Sequence, residues 1–291
     1  MNAPAPRVVV HPDPDALARA VAVDLLDRIR AATVSRGRAH VVLTGGGVGI
    51  ASLAAVAHHP DVGSVDWGSV DLWWGDERFL PSGHPDRNET QARTALLDRL
   101  PLDPARVHPM PPADGPPGDD VDAAARGYAE LLRAAAGHPP QGRLEGRPVA
   151  GALPVFDVLL LGVGPDGHVA SLFPGHPALA VTDTAVVGVR ESPKPPPVRV
   201  SLTVPALCHA REVWLLAAGS AKAAAVAEAL TSPSGGTGDR GPATGETPPV
   251  GPGRVPPVVG TARLLPAARP RGRRATVWFL DRDAAGLPPE T

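Results

Sequence analysis

The chain has 291 residues, 43% of them hydrophobic, and a formal net charge of −2, which excludes wholesale disorder and allows one large domain. Only two of its 28 basic residues are lysines, Lys194 and Lys222. The chain has no long basic run of the kind that would indicate a nucleic-acid-binding protein. The single cysteine, Cys208, excludes an internal disulfide, the N-terminus does not read as a signal peptide, and no apolar stretch is long enough to span a bilayer. We therefore expect a cytoplasmic protein with no nucleic-acid or membrane partner.

Apolar runs alternate along the chain with segments of helical periodicity. A short apolar run occupies residues 7–10, and strands are predicted at 39–44, 70–74, 156–161, 184–189, 199–202, 212–217 and 275–280. Helices are predicted at 13–36, 50–58, 88–100, 121–136 and 220–230. Residues 101–120 are predicted to be loop. Residues 232–257, rich in Gly, Pro, Ser and Thr, are predicted to be a flexible surface insertion in a single domain spanning 1–291.

This alternation is typical of an α/β protein with a mainly parallel sheet flanked by helices on both faces, as in Rossmann-like folds. In such sheets ligands bind at the carboxyl ends of the strands. Three glycine-rich or polar clusters, at 44–49, 75–78 and 162–168, follow predicted strands. Their coincidence predicts a binding site at that edge of the sheet.

The first cluster contains Gly45, Gly46 and Gly47 between a strand and a helix. Glycines at this position expose backbone N–H groups that can hold a phosphate at the helix N-terminus. No Lys-Ser/Thr pair follows, so the segment is not a nucleotide P-loop. The alternative is a tight turn that binds no ligand.

The second cluster places Asp76 and Glu77 beside Arg78. These charges can satisfy one another in a purely structural role. Alternatively, the cluster can present Arg78 to an anion, because a guanidinium matches the geometry of phosphate or carboxylate.

The third cluster formally matches the dinucleotide-binding pattern G-x-G-x-x-G, with Glu191 at a distance that could suit a ribose. A dinucleotide site needs a helix of several turns after the third glycine, but Pro174 follows only seven residues after Gly167. We therefore favour a turn that presents Asp166 and His168 to a pocket, where His168 can act as a general base.

The fourth segment, residues 192–199, is rich in proline and carries Lys194 and Arg199. Its restricted backbone can hold both cations in place, or it can be an exposed linker whose charges are merely solvated.

Taken together, the sequence resembles the 6-phosphogluconolactonase family over residues 8–282, apart from 232–257. The resemblance is carried by residues 162–175, 73–79 with 86–88, 196–203 and 278–281. It implies an α/β fold shared with glucosamine-6-phosphate deaminases, no cofactor, and hydrolysis of 6-phospho-D-glucono-1,5-lactone with His168 as the catalytic histidine. The positions that contact phosphate and sugar in the family correspond to Gly45, Gly46, Gly47, Arg78, Lys194 and Arg199. Beside the resemblance, we expect Asp166 to assist catalysis by orienting the imidazole or favouring its imidazolium form, and Asp76 to contact the substrate. We also expect no metal and a monomer or weak homodimer.

One segment departs from the family pattern: Gly47, Val48 and Gly49 stand where the family usually has Ser-Thr-Pro. Only backbone N–H groups then remain for the phosphate at these positions. The nearest alternative is a deaminase, but that group has a Phe-Asn-Glu-Pro-Gly sequence where this chain has Ser171-Leu172-Phe173-Pro174-Gly175. A non-catalytic sugar-phosphate sensor is a further alternative, disfavoured because no helix-turn-helix segment precedes the fold and the histidine is present.

Overall fold

The computed structural model describes residues 4–137, 153–232 and 264–288. Six strands form one sheet, in the order β1-β9-β8-β5-β2-β3, and every neighbouring pair is parallel. These strands are β1 (Arg7–His11), β2 (Ala39–Leu43), β3 (Val70–Trp74), β5 (Val158–Gly162), β8 (Glu212–Ala217) and β9 (Ala275–Asp281). The helices are α1 (Pro14–Arg36), α2 (Gly47–Ala57), α3 (Asn88–Ala95), α4 (Val121–Ala135), α5 (Val204–Leu207) and α6 (Ala223–Thr231).

The central strands are buried on both faces. All five residues of β3 are buried, and so are all but the first residue of β8. Because successive side chains on a strand point to opposite faces, this pattern requires a covering layer on each side of the sheet. The predicted α/β fold with a mainly parallel sheet is therefore confirmed.

Helix α1 shows how local sequence sets the limits of an element. The Asp13 side chain accepts a hydrogen bond of 2.7 Å from the backbone N–H of Ala16, and Pro14 occupies the first helical turn. The helix ends at Gly37, whose φ of 69° is the left-handed conformation that glycine adopts readily. The limits predicted from sequence, 13 and 36, agree with this helix.

A second, three-stranded sheet was not predicted. It has the order β4-β7-β6 and contains β4 (Asp76–Arg78), β6 (Val186–Val189) and β7 (Arg199–Leu202) in antiparallel pairs. The cluster at 75–78 does follow a strand, as predicted, but Asp76 to Arg78 themselves form a further strand, which pairs with β7. Only Gly75 separates β3 from β4, so the chain passes directly from one sheet to the other.

Other differences concern the ends of helices. Helix α2 begins at Gly47 rather than at residue 50, so Gly47 to Gly49 form its first turn and Gly46 precedes it. The helix predicted at 88–100 ends at Ala95 and is followed by one 3₁₀ turn, Leu97–Arg99. Apart from Ser232, the predicted insertion at 232–257 lies outside the described residues. Among the described residues no helix is long and apolar enough to cross a membrane.

Candidate active site

A cavity of about 400 Å³ opens at the carboxyl edge of the six-stranded sheet, beside the second sheet. This volume lies within the range of roughly 300–1,000 Å³ that is typical of small-molecule sites. The predicted residues that line it are Gly45, Gly46, Gly47, Asp76, Arg78, His168, Lys194 and Arg199. Asp166 contacts the ring of His168. The structure therefore brings together residues that are far apart in sequence.

The glycine turn joins β2 to α2. Gly46, with φ 80°, precedes the first helical residue, Gly47, and no side chain caps the helix. The first N–H groups of a helix have no partner within it and carry the positive end of its dipole, so an anion can bind there. Glycine at position 45 leaves room for Asn88, because a Cβ there would lie 1.9 Å from its Oδ1 and would force that side chain to shift.

His168 and Asp166 form a hydrogen-bonded pair, with 2.5 Å between Nδ1 and Oδ1. Burial raises the pKa of Asp166, but the hydrogen bond from His168 and the charges of His168 and Lys194 outweigh it, so the pKa lies below its usual value. The carboxylate is therefore ionised at neutral pH and can only accept a hydrogen bond. This requires the proton of His168 on Nδ1 and leaves the lone pair on Nε2.

The environment of His168 favours its neutral form. Burial lowers the pKa of the imidazole below 6.5 against the opposing effect of Asp166, and Lys194 acts in the same direction as burial. The ring of Phe173 lies 4.5 Å from the imidazole, centroid to centroid. A neutral imidazole with a free Nε2 lone pair is the form required of a general base.

Two lysines, the only ones in the chain, line the cavity. Nζ of Lys194 lies 3.8 Å from Oδ1 of Asp166. Lys222 ends a 3₁₀ turn, Ser220–Lys222, that follows β8. Burial lowers the pKa of Lys222, and the charge of Lys194 lowers it further, so the two ammonium groups lie within electrostatic range of each other.

Sequence reasoning missed Lys222 as a site residue. The available signal was compositional. In a chain that otherwise uses arginine, a lysine shortly after the end of the buried strand β8 is unexpected.

The two arginines differ in how much of the guanidinium is available. Nη1 of Arg78 donates to the carbonyl of Asp86 at 2.6 Å, and its guanidinium makes no other hydrogen bond among the described residues. Arg199 is buried, and its Nε and Nη2 donate to the carbonyls of Lys194, Pro195 and Pro196 at 3.1–3.2 Å. Arg199 thus organises the proline-rich loop and retains only Nη1 for a ligand.

The paired carboxylates have separate tasks. Asp76 is buried at the cavity wall, and its Oδ2 accepts a hydrogen bond of 2.6 Å from Oγ of Ser171. Glu77 points away into the protein, where it accepts three backbone N–H groups, two of them from the start of α3. Burial raises the pKa of Glu77 to about 7, although the charge of Arg87 and these three donors lower it. Glu77 is therefore structural, but its charged partner is Arg87, at 3.7 Å, and not Arg78 as the structural alternative for this cluster expected.

The segment that matches G-x-G-x-x-G forms no helix between Gly167 and Pro174. Instead, the backbone N–H of Gly164 donates to the carbonyl of His168, and Gly167, with φ 77°, closes a tight turn. This turn cannot present a helix dipole to a pyrophosphate. The dinucleotide alternative is therefore excluded.

An α/β fold with a histidine–carboxylate pair, an uncapped helix N-terminus and four cationic side chains around one cavity defines an enzyme site for a small anionic ligand. Residues 12–248 match the model of the family glucosamine-6-phosphate isomerases/6-phosphogluconolactonase. The chain belongs to this family, as the resemblance in the sequence predicts.

Similar proteins include the 6-phosphogluconolactonase of Streptomyces coelicolor, 50% identical over 286 residues, which cover 98% of this chain and 96% of that protein. The 6-phosphogluconolactonase of Mycobacterium tuberculosis is 42% identical over 282 residues, which cover 97% and 98% of the two chains. Among solved structures, 6-phosphogluconolactonase from Trypanosoma brucei aligns with a TM-score of 0.71 at 28% identity, covering 97% of this chain and 98% of the other.

Proposed function

We propose that the protein is a 6-phosphogluconolactonase, which hydrolyses 6-phospho-D-glucono-1,5-lactone to 6-phospho-D-gluconate in the oxidative pentose phosphate pathway. The observation that carries the proposal is the His168–Asp166 pair, which leaves a basic Nε2 on a residue that lines a cation-rich cavity. Full-length similarity to proteins of that name supports it.

The phosphate of the lactone, with a charge of roughly −1.5 to −2, binds at the N-terminus of α2 against Gly45, Gly46 and Gly47. Arg78 and Lys222 supply positive charge from the neighbouring strand ends. Because the glycine turn offers no hydroxyl beyond Thr44, phosphate affinity depends on the backbone N–H groups and these cations.

In the reaction, Nε2 of His168 takes a proton from water while the water oxygen forms a bond to C1 of the lactone. The bond between C1 and the ring oxygen then breaks, and the imidazolium returns its proton to that oxygen. Asp166 stabilises the transient imidazolium, as a buried aspartate does in Ser-His-Asp enzymes. Atoms and charge balance without a cofactor.

The ester chemistry is favoured over aminosugar isomerisation by the residue beside the base. The apolar ring of Phe173 packs beside the imidazole of His168, with 4.5 Å between centroids, at a position where the deaminase pattern has a glutamate. A cytoplasmic location and a monomer or weak homodimer complete the proposal, and they rest on the sequence.

The test follows disappearance of lactone generated in situ from glucose 6-phosphate, with a no-enzyme control because the lactone also opens spontaneously. The His168→Ala variant should lose roughly 10²–10⁴-fold in turnover, the usual contribution of a general base. His58→Ala is the matched control, since His58 lies at the other end of α2 and is exposed. Lactone turnover by His168→Ala at the parental rate would remove His168 from the mechanism. Release of ammonia from glucosamine 6-phosphate without lactone turnover would identify a deaminase instead.

A further inference from the structure

A buried chain of hydrogen bonds connects the three segments that surround the cavity. Oγ of Ser171 donates to Oδ2 of Asp76 at 2.6 Å, and Nδ2 of Asn88 donates to the backbone carbonyl of Asp76 at 2.8 Å. Ser171, Asp76 and Asn88 are 0%, 6% and 1% exposed. The proposed mechanism gives no task to Ser171 or Asn88.

One end of this chain fixes the turn that carries the base. Ser171 follows His168 by three residues, and its backbone N–H donates to Oγ of Ser201 at 3.2 Å. Between them Ala170 has φ 49°, a left-handed conformation that costs about 1 kcal/mol or more for a residue with a Cβ and persists only where its surroundings impose it. The two hydrogen bonds of Ser171 contribute to that constraint, together with the hydrogen bond from the backbone N–H of Leu172 to the carbonyl of Val169.

The other end lies against the glycine turn. Because Nδ2 of Asn88 must face the carbonyl of Asp76, its Oδ1 faces the Cα of Gly45, where no side chain could fit. This Oδ1 is buried and accepts no hydrogen bond among the described residues. A buried polar group without a partner is costly and is retained where the shape it imposes is needed.

We infer that Ser171 is a positioning residue, which ties the turn of His168 through Asp76 and Asn88 to the glycine turn that binds the anion. The base and the anion site are thereby held at a fixed separation. By occupying Oδ2 of Asp76, Ser171 also leaves Oδ1, whose contact with Nδ2 of Asn88 is long at 3.5 Å, to accept a hydroxyl group of the ligand.

The experiment compares Ser171→Ala with Thr203→Val in the lactone assay and therefore rests on the proposed function. Thr203 is equally buried, and its hydroxyl donates to the carbonyl of Thr184 at 2.7 Å, away from the cavity lining. Each variant loses one hydroxyl group: that of Ser171 donates to Asp76, and that of Thr203 donates to the carbonyl of Thr184 and, at 3.3 Å, to that of Ala185. Ser171→Ala should lower kcat about 10- to 100-fold, because small misplacements of reacting groups have effects of this size. KM should rise much less, and Thr203→Val should keep parental kinetics.

If Ser171→Ala kept the parental kcat and KM, the inference would be overturned. It would also be overturned if kcat fell equally in Ser171→Ala and Thr203→Val, in proportion to the loss of Tm in each variant. If Ser171→Ala does not fold, Ser171→Cys, which has a similar volume but only a weak donor, is judged by the same outcomes.

A second prediction separates coupling from simple destabilisation. The double variant Ser171→Ala/Asp76→Ala should be no slower than Asp76→Ala alone, whereas multiplication of the two effects would overturn the inference. Absence of lactone hydrolysis by the parental protein would instead refute the proposed function itself.

Discussion

Replacing Asp166 by asparagine tests the link between geometry and protonation most directly. The substitution keeps the shape of the side chain and removes its charge. In the structure, Oδ1 of Asp166 lies 2.5 Å from Nδ1 of His168 and 3.8 Å from Nζ of Lys194. The variant therefore alters the acceptor that fixes the tautomer of the base and the anion that offsets the nearby lysine.

We expect two effects. First, an amide can present its NH₂ group to the imidazole and so select the tautomer with its proton on Nε2, which cannot act as the base. The equivalent change in a buried Ser-His-Asp triad costs about 10⁴-fold. The side chain of Asp166 is 37% exposed, so water can replace part of its contribution, and we expect a loss of roughly 10- to 1,000-fold in kcat.

Second, the pH dependence should shift in a definite direction. Activity requires neutral His168 and is lost as the pH falls through the pKa of its imidazole, which burial already places below 6.5. Asp166 raises this pKa, so its removal should lower it further. The acidic limb of the kcat/KM profile should therefore move to lower pH in Asp166→Asn.

The assay is initial-rate lactone hydrolysis from acidic to neutral pH, with spontaneous opening subtracted at each pH. Asp183→Asn, an exposed carboxylate outside the cavity lining, is the control. An unchanged rate with an unchanged acidic limb would mean that Asp166 only holds the turn. A limb that moved to higher pH would refute the electrostatic account.

Two further predictions concern the anion site. Arg78→Ala and Lys222→Ala should each raise KM more than they lower kcat, because each removes a ground-state contact to phosphate and leaves the base in place. Inhibition by inorganic phosphate should weaken in parallel. An unchanged KM in either variant would show that the replaced residue does not belong to the site. Gly45→Ala should lower Tm relative to Gly47→Ala, because the new Cβ would displace Oδ1 of Asn88, whereas nothing lies within 4 Å of a Cβ at Gly47. Equal Tm values would show that Asn88 can move freely.

Five of the six strands in the parallel sheet could be predicted, because each carries its own apolar pattern, whereas residues 7–10 were recognised only as a short apolar run. A run such as Val158–Gly162 is apolar at consecutive positions, as expected for a strand covered on both faces. In the second sheet, residues 184–189 and 199–202 could also be predicted as strands, but β4 and the pairing of the three strands could not. Asp76 to Arg78 is a polar strand of three residues, and its partner Arg199–Leu202 lies more than 100 residues away, so the pairing depends on tertiary structure.

The location of the site could be predicted more reliably than the tasks of its residues. Strand ends meet at one edge of a parallel sheet, so three clusters that follow strands had to lie near one another. Which partner each side chain takes depends on distances that no local pattern contains. Glu77 and Asp76 are adjacent in sequence, yet one caps the start of α3 and the other lines the cavity.

Arg199 illustrates how a residue can be close to a ligand site and still act chiefly on the protein. Three of the carbonyl groups in its loop receive its Nε and Nη2 donors, and its Cζ lies 5.8 Å from the centroid of Phe173, the ring that also packs beside His168. Removing this guanidinium would release the loop that carries Lys194, because the carbonyls of Pro195 and Pro196 would lose the donors that hold them. An Arg199→Ala defect would therefore combine a shape change with any lost contact to substrate. Arg78 and Lys222, which make fewer contacts with the protein, are the cleaner probes of phosphate binding.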